Sequence, residues 1–322
     1  MNRLSWNEMT TRYPGFFALI IMVIAIIINA ILQPNMLALD TLNSNMRVFL
    51  PLIFLAVGQS FVMIGGGIDI SVSGIVSIVN VILATQVGLE GSTELMWQYV
   101  AIALLAGVIA GAINGLFIAF LRLQPIITTF ATGFLYAGFA LYILPFPGGG
   151  IPRAISELYR TTTPLNIPLA FFIIAIILLI WSYIRSTRYG RYLYAVGGKA
   201  EAAYQTAVPV RRVIFSTYVI SGLMAGFAGI AITMLSGSGN AEIGAAMTLS
   251  AITAVVIGGT ALRGGVGGVA GPIMGAIILG LINNIISFAH INTWWETLIK
   301  AVIIVLALAT PGVIDLFRRR RA

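Results

Sequence analysis

Two runs, "FFALIIMVIAIII" at 16–28 and "LAFFIIAIILLI" at 169–180, are apolar on every face a helix could present. A helix on the surface of a water-soluble protein keeps one polar side, so a run that is apolar all round belongs in a bilayer or deep inside a large core. Charged residues make up 9% of the 322 positions and hydrophobic ones 59%, whereas a soluble domain carries about 25% charge. The chain is therefore a membrane protein. A spanning β-barrel would alternate polar and apolar positions; these runs do not, and a helix satisfies its own backbone in lipid.

Apolar stretches of spanning or near-spanning length fall at 15–32, 48–64, 71–87, 99–120, 126–144, 168–184, 213–235, 248–260, 269–289 and 297–314. The expectation is an all-α polytopic fold of about ten transmembrane helices, some short or glycine-broken. No hydrophilic stretch is long enough for a separate soluble domain, so residues 1–322 read as one transmembrane domain whose energy source lies elsewhere. The first span, which no small-residue cleavage pattern follows, is expected to stay as a span. Of the 18 Lys and Arg residues, 14 fall on the side of the termini: Arg3, Arg12, Arg122, Arg185, Arg188, Arg191, Lys199, Arg211, Arg212, Arg263 and Arg318 to Arg321. Only Arg47, Arg153, Arg160 and Lys300 fall opposite, where the acidic "LEGSTE" lies. Positive loops stay inside, which predicts cytoplasmic N and C termini, 185–212 inside and 145–167 outside. The same distribution reads the net charge of +8 as orientation in a lipid bilayer, with no nucleic-acid partner.

Enzymatic chemistry has little to work with. Zero cysteines remove disulfides, thiolate metal sites and cysteine nucleophiles, and one histidine argues against metal chemistry. Asp69 and Lys300 are the ionisable groups nearest to a span interior, which argues against coupling to protons or ions through buried charge. A P-loop fails because Lys199 is followed by Ala200 and Leu193 stands where the leading glycine belongs. "GVGGVA" at 265–270 has no strand before it to make a dinucleotide fingerprint. No catalytic residue, metal site or cofactor site is assigned.

Glycine marks the weak spans. Gly65-Gly66-Gly67 interrupts 48–87 and "GGTALRGGVGG" interrupts 248–289, and "VMIGG" at 62–66 echoes "VVIGG" at 255–259 as a short internal repeat. Such breaks serve either as binding or gating elements or as tight turns between close-packed helices. In the long inside loop, "KAEAAYQTA" follows Gly197-Gly198 and is closed by Pro209, which predicts a short helix at 199–207. Such a helix can be a rigid knob for a partner, or a surface helix held at the headgroups by the flanking arginines.

Three segments carry a family resemblance. "GGGIDISVSGIVSI" is similar to the "GGIDLSVG" signature of ribose-type sugar permeases of ATP-binding-cassette importers. "YGRYLYAVGGKAEAAYQTAV" resembles their cytoplasmic coupling segment, and "AITAVVIGGTALRGGVGGVAGPIMGAIILGLINN" their late glycine-rich signature, from about 45 to 310 in the expected order. The wider family includes permeases for nucleosides, autoinducer-type signals and branched-chain amino acids. The resemblance implies an inner-membrane permease that pairs with a second copy or a paralogous permease. It also implies ABC ATPase subunits, which bind the ATP and Mg, and an extracytoplasmic solute-binding protein. The imported solute would be neutral and small, a monosaccharide first and a nucleoside as the alternative; a self-sufficient secondary carrier is the rival of another class. The coupling helix maps to Lys199, Glu201, Ala202, Ala203 and on to Ala207, within a coupling loop of 185–212, and Ala207-Val208 stand where the family has glycine and isoleucine. The glycine-rich signatures map to Gly65, Gly66, Gly67 and Asp69, and to Gly258, Gly259, Gly264 and Gly265. Asp69 is a candidate for a helix N-cap or a solute contact. The amides of Gln59, Asn80, Asn114, Asn283 and Asn284 are candidates for a solute path or for bonds between helices.

Overall fold

A computed structural model describes residues 15–290 together with 295, 298, 301, 302 and 305. The described residues form helices joined by turns, with a single isolated β-bridge, Gly148 to Gly239. In chain order the helices are α1 (Phe16–Leu32), α2 (Leu39–Ile64), α3 (Val72–Gln86), α4 (Thr93–Ala119), α5 (Pro125–Ile143), α6 (Arg153–Thr161) and α7 (Leu169–Ser186). They continue with α8 (Arg188–Gly198), α9 (Ala200–Gln205), α10 (Val210–Ser236), α11 (Met247–Ile257) and α12 (Ala270–Phe288). Six of them, α2, α4, α5, α7, α10 and α12, are long and apolar enough to cross a membrane, and α1, α3 and α11 are shorter apolar helices. These nine coincide with the first nine predicted spans. The tenth, 297–314, lies largely outside the described residues, as do both chain ends and Lys300.

Burial does not follow hydropathy. The α7 run "LAFFIIAIILLI" is buried over only 17% of its spanning window, whereas α2, which carries Asn43, Gly58, Gln59 and Ser60, is buried over 83%. Lipid tails are as apolar as leucine, so the interior of a membrane bundle selects small and polar residues that let helices approach and bond. The centre is accordingly α10, packed against α2, α3 and α4. Along the α4 contact Gly107 and Gly111 face Gly222, where an added Cβ would stand 2.2 Å from the Gly107 carbonyl oxygen. Around this centre α3 packs on α5, α11 on α2 and α12, and α1 on α12.

Loops gather at two ends. At one, Gly148 and Gly239 exchange backbone bonds at 3.0 Å, and the Gly150 N–H reaches the α3 carbonyl of Ala84 at 2.9 Å. The short helix α6 closes this end over α2 and α10: Ser156 Oγ donates to the Met234 carbonyl at 2.9 Å and Arg160 to the Leu235 carbonyl at 2.8 Å. Pro51 inside α2 has no N–H to offer the Arg47 carbonyl, and the Tyr159 hydroxyl bonds that carbonyl instead, at 3.2 Å. The opposite end carries the glycine breaks, α8 and α9.

Candidate functional site: the broken helix and the coupling segment

Between α2 and α3 the chain leaves helical geometry over 65–71. Irregular backbone at membrane depth survives only where protein groups replace the lost helical bonds. Here side chains from three helices do so. The Gln59 carboxamide spans the Asp69 backbone, nitrogen donating to the carbonyl at 3.1 Å and oxygen accepting from the N–H at 3.2 Å, in the amide orientation that satisfies both. Thr129 of α5 accepts from the Ile70 N–H at 3.1 Å, and Thr248 of α11 donates to the Ile70 carbonyl at 3.2 Å.

The Asp69 carboxylate is fully buried and spoken for on both oxygens. Oδ1 accepts from the Ser71 N–H at 3.0 Å and the Ser71 hydroxyl at 2.6 Å, and Oδ2 accepts from Ser221 of α10 at 2.7 Å. Ser71 Oγ in turn accepts from the Asn114 amide of α4 at 2.7 Å, and Asn114 Oδ1 accepts from Thr132 of α5 at 2.7 Å. Asp69 is not itself the N-cap, which is Ser71; its carboxylate accepts from Ser71 two positions on and from Ser221, so it forms the turn at the entry to α3 and ties the break to α10.

The other candidate amides lie apart from this node. Asn80 binds α3 to the end of α10 through Thr233 Oγ1 at 2.9 Å and the Ser238 carbonyl at 3.1 Å, and accepts from the Asn240 N–H at 2.7 Å. Asn284 bonds Asn45 between α12 and α2 at 3.1 Å, while Asn283 is exposed. Ser71, Ser221, Thr129, Thr132 and Thr248, which complete the node, did not stand out in the sequence. Hydroxyls are ordinary in membrane helices, and their partners are far away along the chain.

The repeat "VMIGG"/"VVIGG" is repeated in geometry. Gly65 and Gly258 are C-caps at φ −72° and −65°, and Gly66 and Gly259 turn left-handed at φ +86° and +85°. The same pair of bonds closes each helix: Gly66 N–H to Met63 and Gly67 N–H to Val62 in one, Gly259 N–H to Val256 and Thr260 N–H to Val255 in the other. Both are Schellman ends. The two breaks touch at the loop end, where the Gly265 N–H donates to the Ile64 carbonyl at 2.9 Å.

Beside that contact lies the segment expected to couple to an ATPase, which is two helices. Thr187 caps α8, accepting from the Gly190 N–H at 3.4 Å, and α8 buries Gly190, Leu193, Val196 and Gly197 on one face. Extended backbone at Lys199 (φ −159°) breaks it from α9, so the helix expected over 199–207 occupies Ala200–Gln205. Lys199, Glu201, Ala202, Tyr204 and Gln205 are exposed. Ala203, expected on the contact face, is 5% exposed and packs inward, because Cβ atoms one position apart on a single-turn helix face different ways. Ala207 sits left-handed at φ +60°, with the Val208 N–H bonding the Ala203 carbonyl at 3.1 Å. A glycine adopts that conformation without steric cost, which agrees with the glycine expected there from the resemblance.

Residues 41–308 match the family described as branched-chain amino acid transport system / permease component. This chain belongs to that permease family. The permease is 31% identical to a ribose import permease protein of Haemophilus influenzae over 299 residues, 91% of each chain. It is also 31% identical to the Escherichia coli K12 ribose import permease protein over 296 residues, 90% of this chain and 91% of that one. An autoinducer 2 import system permease protein of Photorhabdus temperata is 28% identical over 307 residues, 92% of this chain and 91% of the relative. No solved structure matches. The permease is thus a transport subunit, an integral membrane component of a transport system.

Proposed function

We propose that the permease is the membrane subunit of an ATP-binding-cassette importer that carries a neutral monosaccharide inward across a bacterial inner membrane. It has ten spans, both termini in the cytoplasm and 185–212 as its coupling loop. ATP and Mg bind on a separate ATPase that receives α9, an extracytoplasmic binding protein delivers the sugar at the α6 end, and a second copy or a paralogous permease completes the pathway. The observation that carries this reading is the near full-length similarity to ribose import permeases at 31% identity. Two features of the molecule support it. Among the described residues the basic groups Arg122, Arg185, Arg188, Arg191, Lys199, Arg211, Arg212 and Arg263 lie at the α9 end, in its loops, in α8 and at the adjoining helix ends, against Arg47, Arg153 and Arg160 at the other, the polarity of a cytoplasmic face. Asp69, the carboxylate buried in the bundle, is held by three hydrogen bonds inside the chain, which favours a pathway for a neutral solute.

The pathway wall is drawn from α4 and α5. Beside them an open, mainly apolar hollow of about 390 Å³ is lined by Phe117, Leu123, Gln124, Ile127, Thr128, Ala131 and Thr132, where the Gln124 amide is the polar group offered to a solute. The test is uptake of radiolabelled ribose and adenosine by native host cells with and without the gene. Saturable ribose uptake that requires the gene and resists excess adenosine is expected; gene-dependent adenosine uptake without ribose uptake would make it a nucleoside permease.

A further inference from the structure

Gly197, near the end of α8, lies directly over the hydrogen bond that joins the two glycine breaks. A Cβ added there would stand 1.7 Å from the Ile64 carbonyl oxygen and 2.6 Å from the Gly265 nitrogen, the acceptor and donor of that bond. Gly264, left-handed at φ +82°, closes the contact from the third side, its Cβ position 2.6 Å from the Gly197 carbonyl oxygen and 2.7 Å from Gly66 Cα. One turn earlier the Tyr194 hydroxyl donates to the Gly267 carbonyl at 2.7 Å, a second tie between α8 and the late glycine loop. Gly198, by contrast, points its Cβ direction into open space, with nothing within 4 Å.

We propose that this three-way backbone contact is the joint through which the coupling segment drives the two broken helices together, with Gly197 and Tyr194 as its positioning residues. The inference rests on the importer reading above. Three residues after Gly197 the chain becomes α9, the exposed element offered to the ATPase, and at Gly197 α8 meets both breaks through backbone, which has no side-chain flexibility to absorb a displacement. Backbone seated on backbone transmits a shift of α8 to the ends of α2 and α11 without slack, because packed interfaces switch between arrangements and do not deform smoothly. The left-handed glycines at each break let the following chain swing while the helix ends stay capped.

The experiment uses native host cells expressing the tagged chain. Three quantities are read from the same cells: its membrane level, the ATP hydrolysis that copurifies with it, and uptake of radiolabelled ribose. Gly197→Ala, whose methyl would meet backbone at 1.7 Å, is expected to lower the level and, in the protein that accumulates, to cut uptake per ATP hydrolysed about tenfold; Tyr194→Phe is expected to keep level and hydrolysis and to lower that ratio about threefold. Gly198→Ala should match the wild type. A purely structural role would lower level, hydrolysis and uptake in step and leave the ratio unchanged. A wild-type ratio in both Gly197→Ala and Tyr194→Phe overturns the proposal; if Gly197→Ala fails to accumulate, Tyr194→Phe, which removes a single hydroxyl, decides alone. Wild-type ribose uptake with no copurifying hydrolysis overturns the importer reading, and the joint with it.

Discussion

Ala207 shows how one residue can carry a cost that the sequence reveals only beside its backbone. A non-glycine residue in the left-handed region costs about 1–2 kcal/mol, and Ala207 stands there at φ +60° to end α9. Ala207→Gly relieves that strain but frees the unfolded chain, which gives back about 0.4–1 kcal/mol. The expected net is a gain of up to about 1.6 kcal/mol, read as a higher temperature at which half the purified chain loses its monodisperse gel-filtration peak. A lower midpoint would contradict the assignment. Asp69 illustrates the opposite limit of reading. Its motif marked it as special, but whether it faced a solute or its own chain depended on Ser221, 152 positions away, whose hydroxyl no local pattern distinguishes.

At the scale of elements, apolar runs located nine helices because lipid imposes length and hydropathy directly. What those runs could not rank was burial: α7, among the most apolar at a mean hydropathy of 2.2, is the least buried of the long helices. The start of α2 at Leu39 was hidden because Asp40, Asn43 and Arg47 break the apolar run at its outer end, where Asn43 bonds the Arg160 carbonyl at 3.0 Å. The helices α6 and α8 were missed because they lie outside the apolar stretches and take their order from tertiary bonds. Close packing of α4 on α10 makes a sharp prediction. Gly222→Ala places a methyl 2.2 Å from the Gly107 carbonyl oxygen and should remove most of the folded protein from membranes. Gly138→Ala on α5, whose Cβ meets nothing within 4 Å, should leave the level equal or higher, since alanine favours helix by about 1 kcal/mol. Equal levels of both variants, judged by quantitative blotting, would refute the packing. In α9 the same logic separates neighbours. Ala202→Arg, on the exposed side, should spare accumulation and strip the copurifying ATPase, whereas Ala203→Glu, buried, should lower accumulation itself. Normal uptake and copurification in Ala202→Arg would end the docking role of α9.

For the whole molecule, the two clusters of loops define a polarity that the distribution of arginines orients. Ser186, exposed at the end of α7, lies on the basic side; in this cysteine-free chain Ser186→Cys should react with an impermeant maleimide only from the cytoplasmic face of inverted vesicles. Labelling from outside intact cells would invert the topology. On the proposed reading the permease moves a neutral sugar on energy supplied by a partner ATPase, with no ion carried through Asp69. The direct measurement is ribose uptake with the two energy sources separated in native cells. Collapsing the proton and sodium gradients while cellular ATP is maintained should leave initial uptake near its starting rate, and depleting ATP while the gradients are held should abolish it. Uptake that follows the ion gradients and survives ATP depletion would contradict the account and identify a secondary carrier.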